Sequence, residues 1–201
     1  MVNRKAVYQA LRLKRSRVHY RTRTPRPRAQ GLRSRALQSN QRWAMDVTQI
    51  PCGRDGWGYL TAVMDCHDRE IVGDEFALRE SAKEAACLAR FGTLRPTDAT
   101  PILRSDNSWI VQSRRFRRAC GEYRLQQEFI TPYTPEPNGL IERFVRSLKE
   151  EWVWQYHFAG FEDARQAVAT WMQWYNDGQP HQALHDRSPR QYRREQAARV
   201  A

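Results

Sequence analysis

The stretch Trp43-Ala-Met-Asp-Val-Thr-Gln-Ile50 places a single carboxylate, Asp46, inside a strand-like run whose first half is otherwise apolar. A charge buried in a strand without compensation is costly, so this position needs a physical reason. Pairing with an arginine is one reason, because the chain is rich in arginine. A bound divalent cation is another, because Mg²⁺ takes carboxylate oxygens together with water and phosphate oxygens.

The residues after this stretch predict a mixed α/β domain. A glycine-containing turn over 51–58 leads to two apolar runs, 59–66 and 70–78, which indicate an antiparallel meander of three strands. Composition then predicts a helix over 81–92, a short strand over 101–105, a helix over 114–121 and a strand over 125–130. Three strands followed by alternating helix and strand are typical of a mixed sheet covered by helices.

The C-terminal third predicts helices. Three prolines exclude regular structure over 131–137, and Asn138 is a suitable N-cap for the helix that follows. One face of that helix is expected to carry apolar residues at helical spacing: Ile141, Phe144, Val145, Leu148 and Trp152. A second helix is predicted over 161–176, with Val168, Trp171, Met172 and Tyr175 facing inward, and a short last helix from Ser188-Pro189.

Two further carboxylates occupy positions like that of Asp46. Asp106 follows the predicted strand 101–105, and Glu142 lies in the first turns of the helix after Asn138. Two metal ions held by such groups could activate an attacking oxygen and stabilise a leaving one. Spacing alone does not exclude four other acidic residues as ligands, namely Asp65, Asp68, Glu128 and Glu136.

The positive charge is concentrated at the N-terminus. Of 34 Lys and Arg residues, thirteen lie in residues 1–45, which contain no acidic residue, so the excess of +12 belongs to that segment. Such a block indicates a polyanionic partner, most often nucleic acid, although a solvated basic tail is the alternative. The candidate phosphate contacts are Arg4, Lys5, Arg12, Lys14, Arg15, Arg23, Arg26 and Arg28.

The cysteines and the hydropathy exclude other classes of protein. The four cysteines are far apart, without the paired spacing of a zinc site, so we expect reduced thiols and no zinc. No apolar run approaches the roughly 20 residues that span a bilayer, so we expect a soluble intracellular protein with no membrane partner.

The order and spacing of the motifs resemble a known family. Thirty-five residues separate Asp106 from Glu142, as in the D,D-35-E signature of retroviral integrases and DDE transposases. The local text is most similar to OrfB-type transposases of the insertion sequence three family. The resemblance rests on Trp43-x-x-Asp-Val-Thr, Asp65-x-x-Asp-Arg-Glu-Ile-Val-Gly73, Ser105-Asp-Asn107, Thr134-Pro-Glu-Pro-Asn-Gly-Leu-Ile-Glu-Arg-Phe144 and Tyr175-Asn176 followed by Pro180-His181.

This resemblance implies a ribonuclease-H-like fold with a mixed five-stranded sheet. Asp46, Asp106 and Glu142 would be the catalytic and metal-binding triad for two Mg²⁺ ions (or Mn²⁺ as a substitute), and Arg146 and Lys149 would contact DNA. The implied reaction is cleavage at a mobile element's ends and transfer of the freed 3′-OH to target DNA. The implied partners are DNA, further copies of the chain and an upstream-frame transposase protein, at the nucleoid of a bacterial cytoplasm.

The predicted domain organisation follows from these points. Residues 1–20 resemble a remnant of a helix-turn-helix region, 21–41 a basic Pro/Arg linker, 42–195 the catalytic core and 196–201 a tail. Two alternatives stay open: a ribonuclease-H-like nuclease, and a transposase remnant that binds DNA without cutting it.

Overall fold

The computed structural model describes residues 36–78, 100–105, 112–129 and 138–200, all within the larger of the two units into which the chain divides, Arg33–Ala201. Its centre is a five-stranded mixed sheet in the order β3-β2-β1-β4-β5. The predicted fold class is confirmed. The strands are β1 (Arg42–Pro51), β2 (Trp57–Asp65), β3 (Ile71–Ala77), β4 (Ile102–Ser105) and β5 (Gln126–Phe129).

Strands β1, β2 and β3 form the predicted antiparallel meander. Asp46 pairs with Ala62 in the β1–β2 register, and the β2–β3 register contains a bulge between Val63 and Met64. The β1–β2 connection contains Gly53, whose φ of +53° favours glycine. A Cβ there would also collide with the carbonyl oxygen of Phe158, so glycine lets the segment before the third helix pack closely against this turn.

Strands β4 and β5 extend the sheet in parallel on the other side of β1. Ala44 of β1 pairs with Arg104 of β4, and Arg104 pairs with Glu128 of β5. Strand β4 therefore ends at Ser105, beside the middle of β1. This register brings Ser105, the carboxyl end of β4, level with Met45, one residue before Asp46.

Four helices lie in the described part of the chain: α1 (Arg114–Glu122), α2 (Gly139–Ser147), α3 (Phe161–Asp177) and α4 (Pro189–Val200). Helix α1 is capped by Ser113, whose Oγ accepts a hydrogen bond of 3.1 Å from the backbone N–H of Phe116. Helix α4 continues to Val200, into the stretch that the sequence predicts to be a tail.

The alternation of side chains along β1 separates two hydrophobic clusters. Trp43 and Met45 pack with Leu103 and residues of α1 on one face of the sheet. Ala44 and Ile50 pack on the other face, with apolar residues of α2 and α3. Because successive strand residues point to opposite faces, Asp46 belongs to the face of Ala44 and Ile50, which α2 and α3 cover.

Helix α2 departs from the regular face that the sequence predicts. Ile141, Phe144 and Leu148 are buried as expected, but a π-helical turn over Leu148–Trp152 widens the helix. Trp152 is therefore only partly buried, and Val153 is the buried residue at the end of this segment. An inserted residue in a π turn shifts the following side chains around the axis, which a constant helical period does not capture.

Part of the predicted structure lies outside the described residues. This part comprises the helix over residues 3–18, residues 21–35 of the basic linker, the helix over 81–92 and the irregular segment 131–137. The last residues of the predicted linker, 36–41, are described and pack on the domain, where Ser39 and Asn40 donate hydrogen bonds to Asp68 and Asp65. The domain boundaries therefore stay predictions. Within the described residues, no helix combines the length and the apolar character that crossing a membrane requires.

Candidate active site

Asp46 lies near the middle of β1, on the sheet face that α2 and α3 cover, and its side chain is partly exposed. Its Oδ1 accepts a hydrogen bond of 2.9 Å from the backbone N–H of Val47. The carboxylate is therefore held at the edge of the hydrophobic cluster rather than within it. Oxygen atoms in that position can reach both solvent and a ligand.

Glu142 lies in the first turn of α2, which packs against β1. Its neighbour in the chain, Ile141, is fully buried in the cluster that contains Ala44, whereas the Glu142 side chain is exposed. A carboxylate in the first turn of a helix is stabilised by the helix dipole. In the described part of the chain, Glu142 forms no ion pair with Lys or Arg.

The second aspartate, Asp106, lies outside the described residues. In the sequence it directly follows Ser105, the last residue of β4. Since Arg104 pairs with Ala44, Ser105 lies one residue further, at the level of Met45. The structure thus packs α2, the helix that carries Glu142, on the sheet face of Asp46, and it ends β4 beside β1.

The donor set fits a hard divalent cation. Asp46 and Glu142 offer carboxylate oxygens at a partly open edge, which is the ligand chemistry of Mg²⁺. Among the described residues, no group of three His, Cys, Asp or Glu side chains surrounds a common point. Two of the three predicted ligands fall within those residues, and the triad stays a prediction.

Of the predicted DNA contacts, as of the predicted triad, only some lie within the described residues. Arg146 is exposed in the last turn of α2, and Lys149 is partly exposed in the π turn that follows. At about 100° per residue, both lie within roughly 40° of Glu142 around the helix axis. The eight N-terminal Lys and Arg candidates lie outside the described residues.

Two of the alternative carboxylates have a structural role. Asp65 and Asp68 are both 0% exposed at the turn between β2 and β3. Asp65 accepts hydrogen bonds from the backbone N–H groups of Asn40 (2.6 Å) and His67 (2.8 Å), and Arg193 of α4 lies 3.4 Å from Asp68. The network joins α4 and the segment before β1 to the sheet.

Burial is the largest influence on the pKa values of Asp65 and Asp68. It raises the pKa of Asp65, and it raises the pKa of Asp68 to about 7, with the charge of Asp65 acting in the same direction. Arg193 and the hydrogen bonds lower both pKa values without cancelling the effect of burial. These carboxylates are therefore accounted for without a metal.

A third alternative, Glu128, is engaged by arginines. Its Oε2 accepts a hydrogen bond from Arg104 Nε (2.9 Å) and forms ion pairs with Arg104 Nη2 at 2.8 Å and Arg42 Nε at 3.6 Å. Arg104 is 6% exposed, so its buried charge has an acidic partner here. The last alternative, Glu136, lies outside the described residues.

At the start of α2, the side chain of Asn138 does not form the capping hydrogen bond that its residue type predicts. Asn138 occupies the N-cap position, but its side chain makes no capping hydrogen bond. Its Oδ1 is buried and has no hydrogen-bond partner in the described part of the chain. The hydroxyl oxygen of Ser105, at the end of β4, is likewise buried and has no hydrogen-bond partner among the described residues. In the sequence, Ser105 directly precedes Asp106 and Asn138 lies four residues before Glu142. Residue type alone gives no signal that these two polar atoms are buried without a partner.

Comparison with known proteins identifies the domain. Residues 36–135 and residues 123–189 match two families that are both described as an integrase core domain. An uncharacterized transposase-like protein of Haemophilus influenzae is 27% identical over 158 residues, covering 79% of this chain and 73% of that protein. A putative transposase InsD of an Escherichia coli insertion element is 28% identical over 206 residues, covering 98% of this chain and 93% of that protein.

Solved structures give the same fold. A chain of the simian T-cell lymphotropic virus intasome superimposes with a TM-score of 0.65 at 20% identity, and the match covers 82% of this chain and 58% of the viral one. The HTLV-2 integrase catalytic core domain, solved in complex with magnesium, matches with a TM-score of 0.58 at 16% identity. That match covers 79% of this chain and 99% of the viral domain.

Proposed function

The chain belongs to the superfamily of DDE transposases and integrases, which are polynucleotidyl transferases, and from this premise we propose that Asp46, Asp106 and Glu142 form its active site. The observation that supports the site is the packing of α2 on β1, with Glu142 and Asp46 at the same face of the sheet where β4 ends. The closer assignment, to OrfB-type transposases of the insertion sequence three family, is part of the same proposal.

The three carboxylates would hold Mg²⁺, with Mn²⁺ as a substitute, at two ion positions. Ions bound there would supply Lewis-acid stabilisation to the attacking and leaving oxygens of a phosphodiester. The protein's own side chains would hold these ions and orient them. The N–H of Val47 holds the Asp46 carboxylate, and the burial of Ile141 anchors the helical turn that carries Glu142.

DNA would lie along the exposed side of α2. Arg146 and Lys149 follow Glu142 on one side of the helix and can contact phosphates next to the bond that is cut. The reaction joins oxygen to phosphorus twice. Water cleaves the strand at the element's end, and the freed 3′-OH then displaces another 3′-oxygen in the target. No covalent link to the protein is needed, so no Ser, Tyr or Cys nucleophile is assigned.

Because the proposed chemistry joins two DNA ends, we propose that the chain assembles with further copies on DNA. The basic N-terminal candidates, from Arg4 to Arg28, would add sequence-independent phosphate contacts. An upstream-frame partner that supplies end recognition, and action at the bacterial nucleoid, are parts of the same proposal. The two alternatives, a ribonuclease-H-like nuclease and a non-catalytic remnant, are not favoured by the relatives, which are named transposases.

The test is resolution of a branched DNA that mimics a joined strand-transfer product, with Mg²⁺ or Mn²⁺ and the full chain. The wild type is expected to cut and rejoin it, and Glu142→Gln to give no product above background. Glu151→Gln, an exposed acidic position in the following π turn, is the matched control and should keep activity. DNA binding without metal-dependent product in the wild type would favour the remnant. Cleavage confined to RNA–DNA hybrid would favour the nuclease.

A further inference from the structure

Three aromatic rings lie in contact with one another in the segment between α2 and α3. The ring of Tyr156 meets the ring of Trp152 edge-on, at 5.4 Å between centroids, and it stacks on the ring of Phe158 at 6.5 Å, with 18° between the planes. Trp152 and Phe158 are partly buried because both pack against the hydrophobic cluster that contains Ala44. The two anchored rings therefore support Tyr156 from below, although Tyr156 itself is 56% exposed.

A fourth aromatic ring is exposed close to these three. Trp154 precedes Tyr156 by two residues and is 65% exposed. Two residues of chain span at most about 7 Å, so Trp154 and Tyr156 are neighbours on the surface. A contiguous group of exposed apolar side chains on a folded domain is typical of a binding surface. Trp152, Trp154, Tyr156 and Phe158 together are called the aromatic platform below.

The exposed area of the aromatic platform is too small to bind a second folded domain. A Trp or Tyr side chain has about 150–250 Å² to bury, so the exposed fractions of Trp154 and Tyr156 leave on the order of 250 Å² for a ligand. A stable protein–protein interface buries about 800 Å² on each partner. A flat ligand of one or two rings, such as a nucleobase, matches the area that is offered.

The aromatic platform begins on the helix that carries Glu142. The chain is helical without interruption from α2 through the π turn to a 3₁₀ turn over Val153–Gln155. At about 1.5 Å per residue, Trp152 lies about 5 Å beyond Lys149 along this axis and about 15 Å beyond Glu142. Sites for single-stranded DNA combine cations that contact the phosphates with aromatic rings that stack on the bases. The same order of groups is present here.

The charges of this segment favour a base over a phosphate as the ligand of the rings. The four rings are uncharged, and the two acidic residues that precede them, Glu150 and Glu151, are exposed. These acids would repel a phosphate bound to the aromatic platform. A base is uncharged, and every base has a flat face that can stack on an aromatic side chain.

We propose that the aromatic platform binds unpaired bases of the DNA, with Tyr156 and Trp154 stacking on the bases and Trp152 and Phe158 supporting Tyr156. This role rests on the proposed function, because the ligand is the DNA on which the active site acts. It adds unpaired bases to the phosphates that Lys149 would contact. A branched strand-transfer product contains strands that leave the duplex, so bases next to its branch point can unpair and reach the rings.

The experiment compares the binding of two fluorescent DNAs to the full chain by anisotropy, in EDTA so that no strand is cut. One DNA is a blunt duplex, and the other is the same duplex with a single-stranded tail of thymidines. Stacking on one base changes affinity roughly 5-fold or more, so the wild type should bind the tailed DNA at least about 5-fold more tightly. Tyr156→Ala and Trp154→Ala should each lose most of this preference.

Two further variants serve as controls. Tyr156→Phe keeps the ring and should keep the preference for the tail. Trp57→Ala removes a ring that is equally exposed, at 56%, from β2 and should leave the preference unchanged. A tail that contains 2-aminopurine gives a direct measurement, because the fluorescence of this base falls when it stacks on an aromatic ring. The wild type should quench it and Tyr156→Ala should not.

Equal affinity of the wild type for both DNAs would overturn this role of the rings, and so would a preference that both alanine variants retain. In either case, resolution of branched DNA by the wild type leaves the proposed function intact. Loss of self-association in an alanine variant with an unchanged preference for the tail would assign the rings to a contact between copies instead. If Tyr156→Ala fails to fold, Trp154→Ala, at the more exposed ring, decides alone. A wild type that binds neither DNA overturns the proposed function as well.

Discussion

Replacing Asp68 with asparagine should remove most of a pH dependence that the fold imposes on stability. Asp68 is 0% exposed, and burial, with the charge of Asp65, raises its pKa from 3.8 to about 7. Between these two pH values the folded chain holds about one more proton than the unfolded chain. The free energy of unfolding therefore falls as the pH rises, by about 1.4 kcal/mol per pH unit.

Over the whole window this amounts to about 4 kcal/mol, since each pKa unit corresponds to about 1.4 kcal/mol. Asp65 acts in the same direction, because burial raises its pKa as well. An asparagine at position 68 resembles the protonated acid and cannot ionise. Its single oxygen, at the position of Oδ1, can still accept from the N–H of Glu70, which lies 3.0 Å away. Its NH2 group, at the position of Oδ2, can donate to the hydroxyl oxygen of Ser39, which lies 2.8 Å away. The variant should thus match the wild type near pH 4 and exceed its stability by up to about 4 kcal/mol at pH 8.

The assay is urea unfolding of the full chain at pH 5, 6, 7 and 8, followed by far-ultraviolet circular dichroism. Asp186→Asn is the matched control at an exposed position, where φ is +60° and asparagine is tolerated. Its pH profile should follow that of the wild type. An Asp68→Asn profile parallel to that of the wild type from pH 5 to pH 8 would refute the reasoning. The difference between the two profiles is the test, because burial lowers the pKa of His181 to about 4 and His181 therefore contributes to the wild-type profile with the opposite sign below about pH 6.5. Parallel profiles would mean that Arg193 keeps the Asp68 carboxylate ionised in the fold.

Two further predictions concern packing around the sheet. Asn176→Ala removes the amide that accepts from the N–H of Ile71 (2.9 Å) and donates to its carbonyl oxygen (3.0 Å), so urea unfolding should show a destabilisation of about 2–3 kcal/mol. An unchanged midpoint would mean that water replaces both bonds. Glu128→Gln removes the acid beside Arg104 and Arg42, but Glu128 is 39% exposed, so a destabilisation of only about 1–2 kcal/mol is expected in the same assay. A value above about 4 kcal/mol would indicate a fully desolvated pair.

The local periodicity of apolar residues is sufficient to predict the strands of the meander and the buried face of α3. The meander β1–β2–β3 and the inward residues of α3, Val168, Trp171, Met172 and Tyr175, follow from alternation along strands and spacing along a helix, and the structure has them as predicted. These patterns are short-range because backbone geometry repeats every two or 3.6 residues. The grouping of Asp106 and Glu142 with Asp46, by contrast, rests on resemblance to a family and not on periodicity.

Only the tertiary structure shows which residue at the end of α2 is buried and which of the strand carboxylates is enclosed by partners. The π turn after α2 places Val153, and not Trp152, among the fully buried residues of the cluster on that face of the sheet. Asp46 and Asp65 both lie in strands with apolar neighbours, and the sequence offers both as metal ligands. Asp65 is enclosed by Asn40, His67 and Arg193, whereas Asp46 stays at an open edge. The residues that make this difference are up to 128 positions away, because a fold brings distant side chains together and periodicity specifies only the face that each one occupies.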